Sequence, residues 1–188
     1  MGYTREELEG FRNASVPDLV GDRVDLVFVG INPGLWTAAT QTHFAHPGNR
    51  FYPALLRAGI IEHPVDPTGG MSPADRRRFT ERGLALSNLV NRATARASEL
   101  TAEELRQGAR TLAERVATWR PEVVAVAGIT AYRDAFSRPR AVMGRQDDTL
   151  AGVELWVVPN PSGLNAHETV DSLAAWYRLP AVAAGVIV

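Results

Sequence analysis

One asparagine, Asn32, has a sequence environment that suits a ligand-binding side chain. It lies in the turn GINPG at residues 30–34, directly after a short apolar run. Glycine permits unusual backbone dihedrals and proline fixes φ, so this turn holds a single polar side chain in a defined place. An amide donates and accepts hydrogen bonds but does not take up a proton, so Asn32 is suited to orienting a water or a polar ligand. Taken alone, an asparagine in such a turn is more typical of a structural residue.

The elements that must position this residue follow from the alternation of apolar and helical segments. Short apolar runs bounded by turn residues are typical of buried strands, and helical patterns separate them. The predicted strands cover residues 26–30, 83–90, 122–127 and 153–158. We therefore predict a three-layer α/β/α fold with a central, mainly parallel sheet of four or five strands, in one domain that spans residues 1–188.

Capping signals and amphipathic spacing predict the helices. Thr4 and the pair Ser72-Pro73 are typical first residues, and Thr101 with Glu104 has the spacing of a capping box. A polar loop is predicted after the Asn32 turn, with His46-Pro47 as the start of the next helix. The predicted helices cover residues 4–11, 48–58, 98–120, 128–136 and 168–179, and one more begins at residue 72. For the apolar tail at residues 181–188 the sequence leaves open a further strand or an irregular end.

The predicted topology gathers polar turns at one place. In a parallel sheet the carboxyl ends of all strands share one edge, where open α/β folds bind ligands. The turns at residues 30–34, 91–92, 128–130 and 160–164 should therefore meet at one rim. This convergence favours Asn32 as a site residue, although it does not name a reaction.

The composition excludes several kinds of catalytic chemistry. The chain has no Cys, which excludes disulfides, a catalytic thiolate and Cys-bound metal centres. All 20 basic residues are Arg, so a lysine Schiff base is excluded as well. The four His residues lack the spacing of a helical metal site, so we predict no metal.

Length and charge are those of an ordinary globular protein. The chain has 188 residues, 45% of them hydrophobic, and a formal net charge of −1. This charge gives no overall attraction to a polyanion, so a nucleic-acid binder of this composition must concentrate its Arg locally. Membrane-spanning apolar runs and a signal-peptide core are absent from the sequence. We predict a cytoplasmic monomer that does not bind membranes.

Three motifs together resemble a known family. They are GINPG at residues 30–34, FAHPGNRF at 44–51 and NPSGL at 160–164. The chain resembles the mismatch-specific uracil/thymine DNA glycosylases of the uracil-DNA glycosylase superfamily, their bacterial branch more closely, from residue 24 to about residue 179. The resemblance implies a monofunctional hydrolase of base excision repair. It would remove uracil, and more weakly thymine or modified pyrimidines, opposite guanine in duplex DNA. It would need no cofactor and, in a bacterium, would act at the nucleoid.

The resemblance also implies roles for individual pocket residues. Asn32 would position the water that attacks C1′ of the deoxyribose. Phe44 would stack on a base flipped out of the duplex. Backbone groups of Ile31 and Phe44 would bind the polar edge of that base. Thr37 and Asn160 would complete the pocket, and the Thr37 hydroxyl would limit entry of the thymine methyl group.

A second group of residues resembles the family's DNA-contacting elements. Gly163, Leu164 and Asn165 match the wedge that fills the gap left by a flipped nucleotide and contacts the orphaned guanine. A leucine here is equally typical of a loop anchored to the next helix. Auxiliary or DNA-contacting roles are predicted for Ser162, Asn91 and Arg92.

Two departures from the family pattern keep alternatives open. Ala166 stands two positions after the wedge leucine, where bacterial relatives carry Arg, and Asn91 stands where relatives often carry an acidic residue. One alternative is a broad-specificity uracil-DNA glycosylase that also acts on A·U pairs and single strands. The other is a non-catalytic nucleic-acid-binding α/β domain, since such sheets host many functions.

Overall fold

A five-stranded sheet forms the centre of the computed structural model, which describes residues 2–188. The strands are β1 (Leu26–Gly30), β2 (Leu84–Asn88), β3 (Val123–Ala127), β4 (Gly144–Leu150) and β5 (Val153–Val158). They follow the spatial order β2-β1-β3-β5-β4. All neighbouring pairs are parallel except β4 and β5, which are antiparallel. The predicted α/β fold with a mainly parallel sheet is confirmed.

Helices cover both faces of the sheet because the central strands are apolar on both sides. β1, β2 and β3 are buried along their whole length, as is typical of parallel strands between two helical layers. The helices of the described residues are α1 (Arg5–Glu9), α2 (Leu35–Thr40), α3 (Phe51–Arg57), α4 (Pro73–Glu81), α5 (Ala102–Trp119), α6 (Ile129–Ala135) and α7 (Val170–Ala183). The core on one face includes residues of α3, α4 and α7, and the core on the other includes residues of α5 and α6. Within residues 2–188, every helix is too short or too polar to cross a membrane.

The strand order creates a crevice at the end of β1. The chain leaves β1 for β2 on one side and then crosses back to β3 on the other. In open α/β sheets, ligands bind at such a switch in strand order. The turn at residues 30–34 leaves the sheet at this point, so the fold itself places Asn32 where a ligand would bind.

Two predictions for the segment after the Asn32 turn are wrong, one of a loop and one of a helix start. The segment predicted as a polar loop contains α2, which begins after Gly34 without a side-chain cap and is held by the packing of its buried face. The following helix begins at Phe51 rather than at His46-Pro47. The residues before Phe51 form an irregular segment. The Asn49 side chain accepts from the Phe51 N–H at 2.9 Å, at the point where the helix begins.

Two further differences concern the end of the chain. Strand β4 was not predicted because it lies at the sheet edge and most of its residues are polar and exposed or only partly buried. The last helix begins at Val170, after the cap Thr169, and continues to Ala183 with Pro180 inside it. The start of the apolar tail is therefore helical.

Candidate functional site

A cleft of about 460 Å³ opens at the carboxyl edge of the sheet, within the usual size range of small-molecule sites. Each of the four parallel strands contributes a residue at its end or in the next turn: Gly30, Asn88, Ala127 and Asn160. The predicted site residues that line the cleft are Ile31, Asn32, Thr37, Phe44, Asn160, Ser162, Gly163 and Leu164. The turns at residues 30–34 and 160–164 thus meet at a single cleft, as expected from the topology, whereas residues 91–92 and 128–130 do not line it.

The orientation of the Asn32 amide is fixed by its hydrogen bonds. Nδ2 donates to the carbonyl oxygen of Arg92 at 2.8 Å and to that of Pro33 at 3.2 Å. A carbonyl only accepts, so the nitrogen and not the oxygen must lie on this side. Oδ1 has no hydrogen-bond partner within residues 2–188 and is not sealed from solvent. The amide therefore presents an acceptor at the cleft.

Thr94 supports Asn32 from the loop that follows β2. Its hydroxyl accepts from Asn32 Nδ2 at 2.7 Å and donates to the Arg96 carbonyl at 2.8 Å. Its N–H donates to the Pro33 carbonyl at 3.1 Å, and its side chain is 1% exposed. Since both functions of the hydroxyl are satisfied, Thr94 holds Asn32 without competing for a ligand. The sequence contains no signal for this contact beyond the position of Thr94 after a strand.

Phe44 gives the cleft an aromatic wall. Its ring stacks on that of Phe51, with centroids 4.0 Å apart and an angle of 23° between the planes. Its backbone has φ of 56°, a left-handed conformation that non-glycine residues rarely adopt. The N–H and carbonyl of Phe44 make no hydrogen bond to other described residues. One face of the ring is thus supported by the core, while the residue lines the cleft.

Two more predicted residues supply polar groups to the wall. The Asn160 side-chain oxygen accepts from the Ser162 N–H at 2.9 Å, which leaves its Nδ2, near Gly128, as a donor without a partner among the described residues. Thr37 is buried, and its hydroxyl lies 3.4 Å from the Ala45 nitrogen, a weak contact.

The turn at residues 160–165 carries Leu164 into solvent. This leucine is 93% exposed although it borders the cleft. A Cβ on Gly163 would lie 2.5 Å from the carbonyl oxygen of Gly48, so only glycine allows this close backbone contact. Asn165 does not line the cleft, because its side-chain amide donates to the Asn160 carbonyl at 3.0 Å. A loop-anchoring role for Leu164 is therefore excluded, whereas Asn165 ties the loop together.

Arg50 clamps the same turn to the preceding motif. Its Nη2 donates to the carbonyls of Ser162 at 2.6 Å and Asn165 at 2.7 Å, and its Nη1 donates to that of Glu168. The Arg50 N–H also donates to the Pro161 carbonyl at 3.0 Å. Five N–H donors in a planar fork suit this arrangement, and a lysine would not reproduce it. The motifs at residues 44–51 and 160–164 thus form one structural unit.

We expect Arg50→Ala to lower the free energy of unfolding by about 2 kcal/mol or more, because three carbonyls lose a charged donor. Denaturant unfolding measures this change. Arg57→Ala is the matched control, since Arg57 forms an exposed ion pair with Asp171 and such pairs contribute about 0–1 kcal/mol. Equal losses in the two variants would contradict the clamp.

Asn91 and Arg92 follow β2 as predicted, but the structure does not bring their side chains into the cleft. Asn91 Oδ1 accepts from the Val16 N–H at 2.8 Å. The guanidinium of Arg92 pairs with Glu104 at 2.8 Å and lowers the pKa of that carboxyl to about 2. Only the backbone carbonyl of Arg92 reaches the site, where it holds Asn32.

The cleft also contains polar residues that are not among the predicted site residues. Asn88 and Thr94 are buried, and His46 and Asn49 come from the segment before α3. Asn88 is the last residue of an otherwise apolar strand, and an amide at that place is the signal that could have indicated it. No Asp or Glu is among the residues that line the cleft in the described part of the chain. Residues 2–188 also contain no cluster of three or more His, Cys, Asp or Glu that would hold a metal ion.

Comparisons with known proteins agree with this geometry. The family model described as the Uracil DNA glycosylase superfamily matches residues 17–181, which include every turn that forms the cleft. A candidate uracil DNA glycosylase from Methanosarcina acetivorans, solved by NMR in solution, has a similar fold with a TM-score of 0.58. The two sequences are 16% identical, and the match covers 92% of this chain and 96% of that chain. At this identity the likeness concerns the fold alone.

Proposed function

Because the chain belongs to the uracil DNA glycosylase superfamily, we propose that it removes uracil mispaired with guanine from duplex DNA, as a monofunctional hydrolase that begins base excision repair. Thymine and modified pyrimidines would be slower substrates. The observation that carries the proposal is one cleft that combines an aromatic wall, an oriented amide oxygen and an exposed leucine at its edge.

A base inside a duplex is out of reach, so the target nucleotide must rotate into the cleft. Unstacking costs about a few kcal/mol and less for a mismatch, which favours G·U and G·T pairs over A·U. The Phe44 ring, backed by Phe51, offers a flat surface on which the flipped base stacks. The carbonyls and N–H of the base would then meet the free backbone groups of Phe44 and the amides of Asn88 and Asn160.

Asn32 would orient the attacking water. Its Oδ1 is the free acceptor of an amide whose nitrogen is held by three oxygens. A water that donates to this oxygen has its lone pairs turned away from Asn32, toward a sugar held over the cleft. Preorganisation of this kind raises the rate because the water need not be reoriented during the reaction.

The reaction must depend on the leaving group, because the described cleft offers no carboxylate as a base. Cleavage of the glycosidic bond develops positive charge on the sugar and negative charge on the departing base. Donors around the base stabilise that negative charge, and Asn160 Nδ2 and the Phe44 N–H are available for this purpose. Water then adds to C1′ and releases a proton to solvent. We expect slow turnover, with uracil leaving faster than thymine.

The exposed Leu164 would enter the duplex and fill the gap left by the flipped nucleotide. Apolar side chains inserted between base steps are a common means of holding distorted DNA. The carbonyls of Gly163 and Leu164 make no hydrogen bond within residues 2–188, so they are free to accept from the N1–H and N2–H₂ groups of the orphaned guanine. Guanine recognition would then use the backbone, since Ala166 provides no guanidinium.

Single-turnover release of uracil from one oligonucleotide, paired as G·U, as A·U and left single-stranded, tests this function. We expect release to be fastest from G·U and slower from A·U and the single strand, with G·T thymine released more slowly than G·U uracil. Equal rates from the three uracil substrates would indicate a broad-specificity uracil-DNA glycosylase instead of a mismatch-specific one. Absence of release from all of them would contradict a glycosylase and favour a binding domain.

A further inference from the structure

Few guanidinium groups of this chain are available to bind a polyanion. Of its 20 Arg, eleven form ion pairs with Asp or Glu. Four more donate hydrogen bonds to backbone carbonyls, namely Arg50, Arg76, Arg133 and Arg178. The arginines whose side chains make neither contact within residues 2–188 are all exposed, and they are Arg5, Arg77, Arg96, Arg120 and Arg140. A paired guanidinium adds little net positive potential, so attraction to phosphates must come mainly from these unpaired groups.

Arg96 lies at the rim of the cleft, in the loop that follows β2. The residues on either side of it, both alanine, line the cleft. Its carbonyl accepts from the Thr94 hydroxyl at 2.8 Å, and its N–H donates to the Glu99 carboxylate at 2.8 Å. The charge of Glu99 is already balanced by an ion pair with Arg12. A backbone that is held in place thus carries an exposed guanidinium beside the cleft.

Arg140 lies near the other end of the same sheet edge. β4 is antiparallel to β5, and its first residue, Gly144, pairs with Val157 at the carboxyl end of β5. The segment that leads into β4 therefore approaches the sheet at the edge where the cleft opens. The backbone of this segment is held as well, because the Ala141 carbonyl accepts from Arg133 Nη2 at 2.7 Å and from Nε at 3.0 Å.

The remaining arginines are neutralised or lie elsewhere. Three that follow β2 or flank the start of β4 each pair with a carboxylate, namely Arg92, Arg138 and Arg145. Arg120 precedes β3 at the opposite, amino edge of the sheet, and Arg77 lies on α4, which leads into the amino end of β2. Arg5 lies in α1, outside the sheet. The two unpaired guanidiniums that the sheet places at its carboxyl edge are therefore those of Arg96 and Arg140.

We infer that a DNA duplex lies along the carboxyl edge of the sheet, from β2 to β4, and that Arg96 and Arg140 bind its phosphates on either side of the cleft. The inference rests on the proposed function, which brings DNA to this edge. Five strands spaced by about 4.8 Å make the edge about 19 Å wide, and a duplex rises about 3.4 Å per base pair, so about six base pairs span it. Phosphate contacts at both ends fix the register of the duplex, so the target nucleotide is held over the cleft.

The salt dependence of DNA binding tests these contacts, because each contact contributes about 0.9 to the slope of log K against log salt. We expect Arg96→Gln and Arg140→Gln each to make the slope shallower by about 0.9, and the double variant by about 1.8. Raising the salt from about 50 to 200 mM should then weaken binding about 3-fold less in each single variant than in the unmodified protein. Fluorescence anisotropy measures this with a labelled G·U duplex whose uridine carries a 2′-fluorine, which slows cleavage.

Arg77→Gln is the matched control, because Arg77 is also exposed and unpaired within residues 2–188 but lies away from the carboxyl edge. Its slope should equal that of the unmodified protein. An unchanged slope in Arg96→Gln or in Arg140→Gln, or a change of the same size in Arg77→Gln, would overturn the inference. Thermal unfolding of each variant shows that it is folded before the slopes are compared.

The binding measurement does not depend on catalysis. If the slopes change as expected but the unmodified protein releases no uracil, the proposed function fails and the phosphate contacts stand. If uracil is released but the slopes of both single variants are unchanged, the proposed function stands and the inference fails.

Discussion

Replacing Asn32 by Ala should slow uracil release from a G·U duplex by about 10²–10³-fold, the usual cost of removing one preorganised polar group from a reacting centre. The variant loses the Oδ1 acceptor that orients the attacking water, while the stacking wall and the exposed leucine remain. Duplex affinity should therefore change little. Single-turnover rates at saturating protein measure the first effect, and fluorescence anisotropy with labelled duplex measures the second.

Asn91→Ala is the matched control for this substitution. Asn91 is also an asparagine just beyond a strand end, but its side chain contacts the Val16 N–H instead of the cleft. We expect its uracil release to stay near that of the unmodified protein. If Asn32→Ala released uracil at the unmodified rate, Asn32 would have no part in the chemistry.

Replacing Leu164 by Ala is expected to reduce uracil release from duplex DNA by about ten-fold or more, since the gap in the base stack is then filled poorly and each 1.4 kcal/mol corresponds to a factor of ten. The effect should be specific to duplex DNA, because a single strand has no gap to fill. The quantity to measure is the ratio of the rates on duplex and single-stranded uracil. Stability should be unaffected, because the side chain is 93% exposed.

Leu179→Ala provides the comparison, as Leu179 is another exposed leucine, on α7, and does not line the cleft. Its duplex-to-single-strand ratio should match that of the unmodified protein. A fall of the same size on both substrates in Leu164→Ala would show that the leucine acts on the pocket and not on the duplex.

The clamp by Arg50 joins the motifs at residues 44–51 and 160–164. The first provides both Phe44 and the guanidinium, and the second provides the carbonyls that the guanidinium binds. The position of Phe44 relative to Leu164 is thereby fixed. Coupling between base binding and insertion into the duplex would follow from this rigid link.

The sequence by itself determined the features that depend on neighbouring residues. Apolar runs specified the four parallel strands, and capping signals at Thr4 and Ser72 marked the starts of two helices. The capping box at Thr101 marks the true start of α5, which was predicted from residue 98. Parallel pairing then required the turns after those strands to share one edge, which is why Asn32 and Asn160 were expected together. The edge strand β4 and the short helix α2 escaped prediction, because neither has the apolar periodicity on which such predictions depend.

Only the tertiary structure decided how the side chains of the cleft are oriented. Asn32 is held by groups 60 and 62 residues away, and His43 meets Asn88 across 45 residues. Arg50 reaches carbonyls 112 and 115 residues along the chain. Such partners are brought together by the crossovers between strands, so no local pattern specifies them. The physical reason is that an amide or an imidazole takes its orientation from whichever donors and acceptors surround it once the chain has folded.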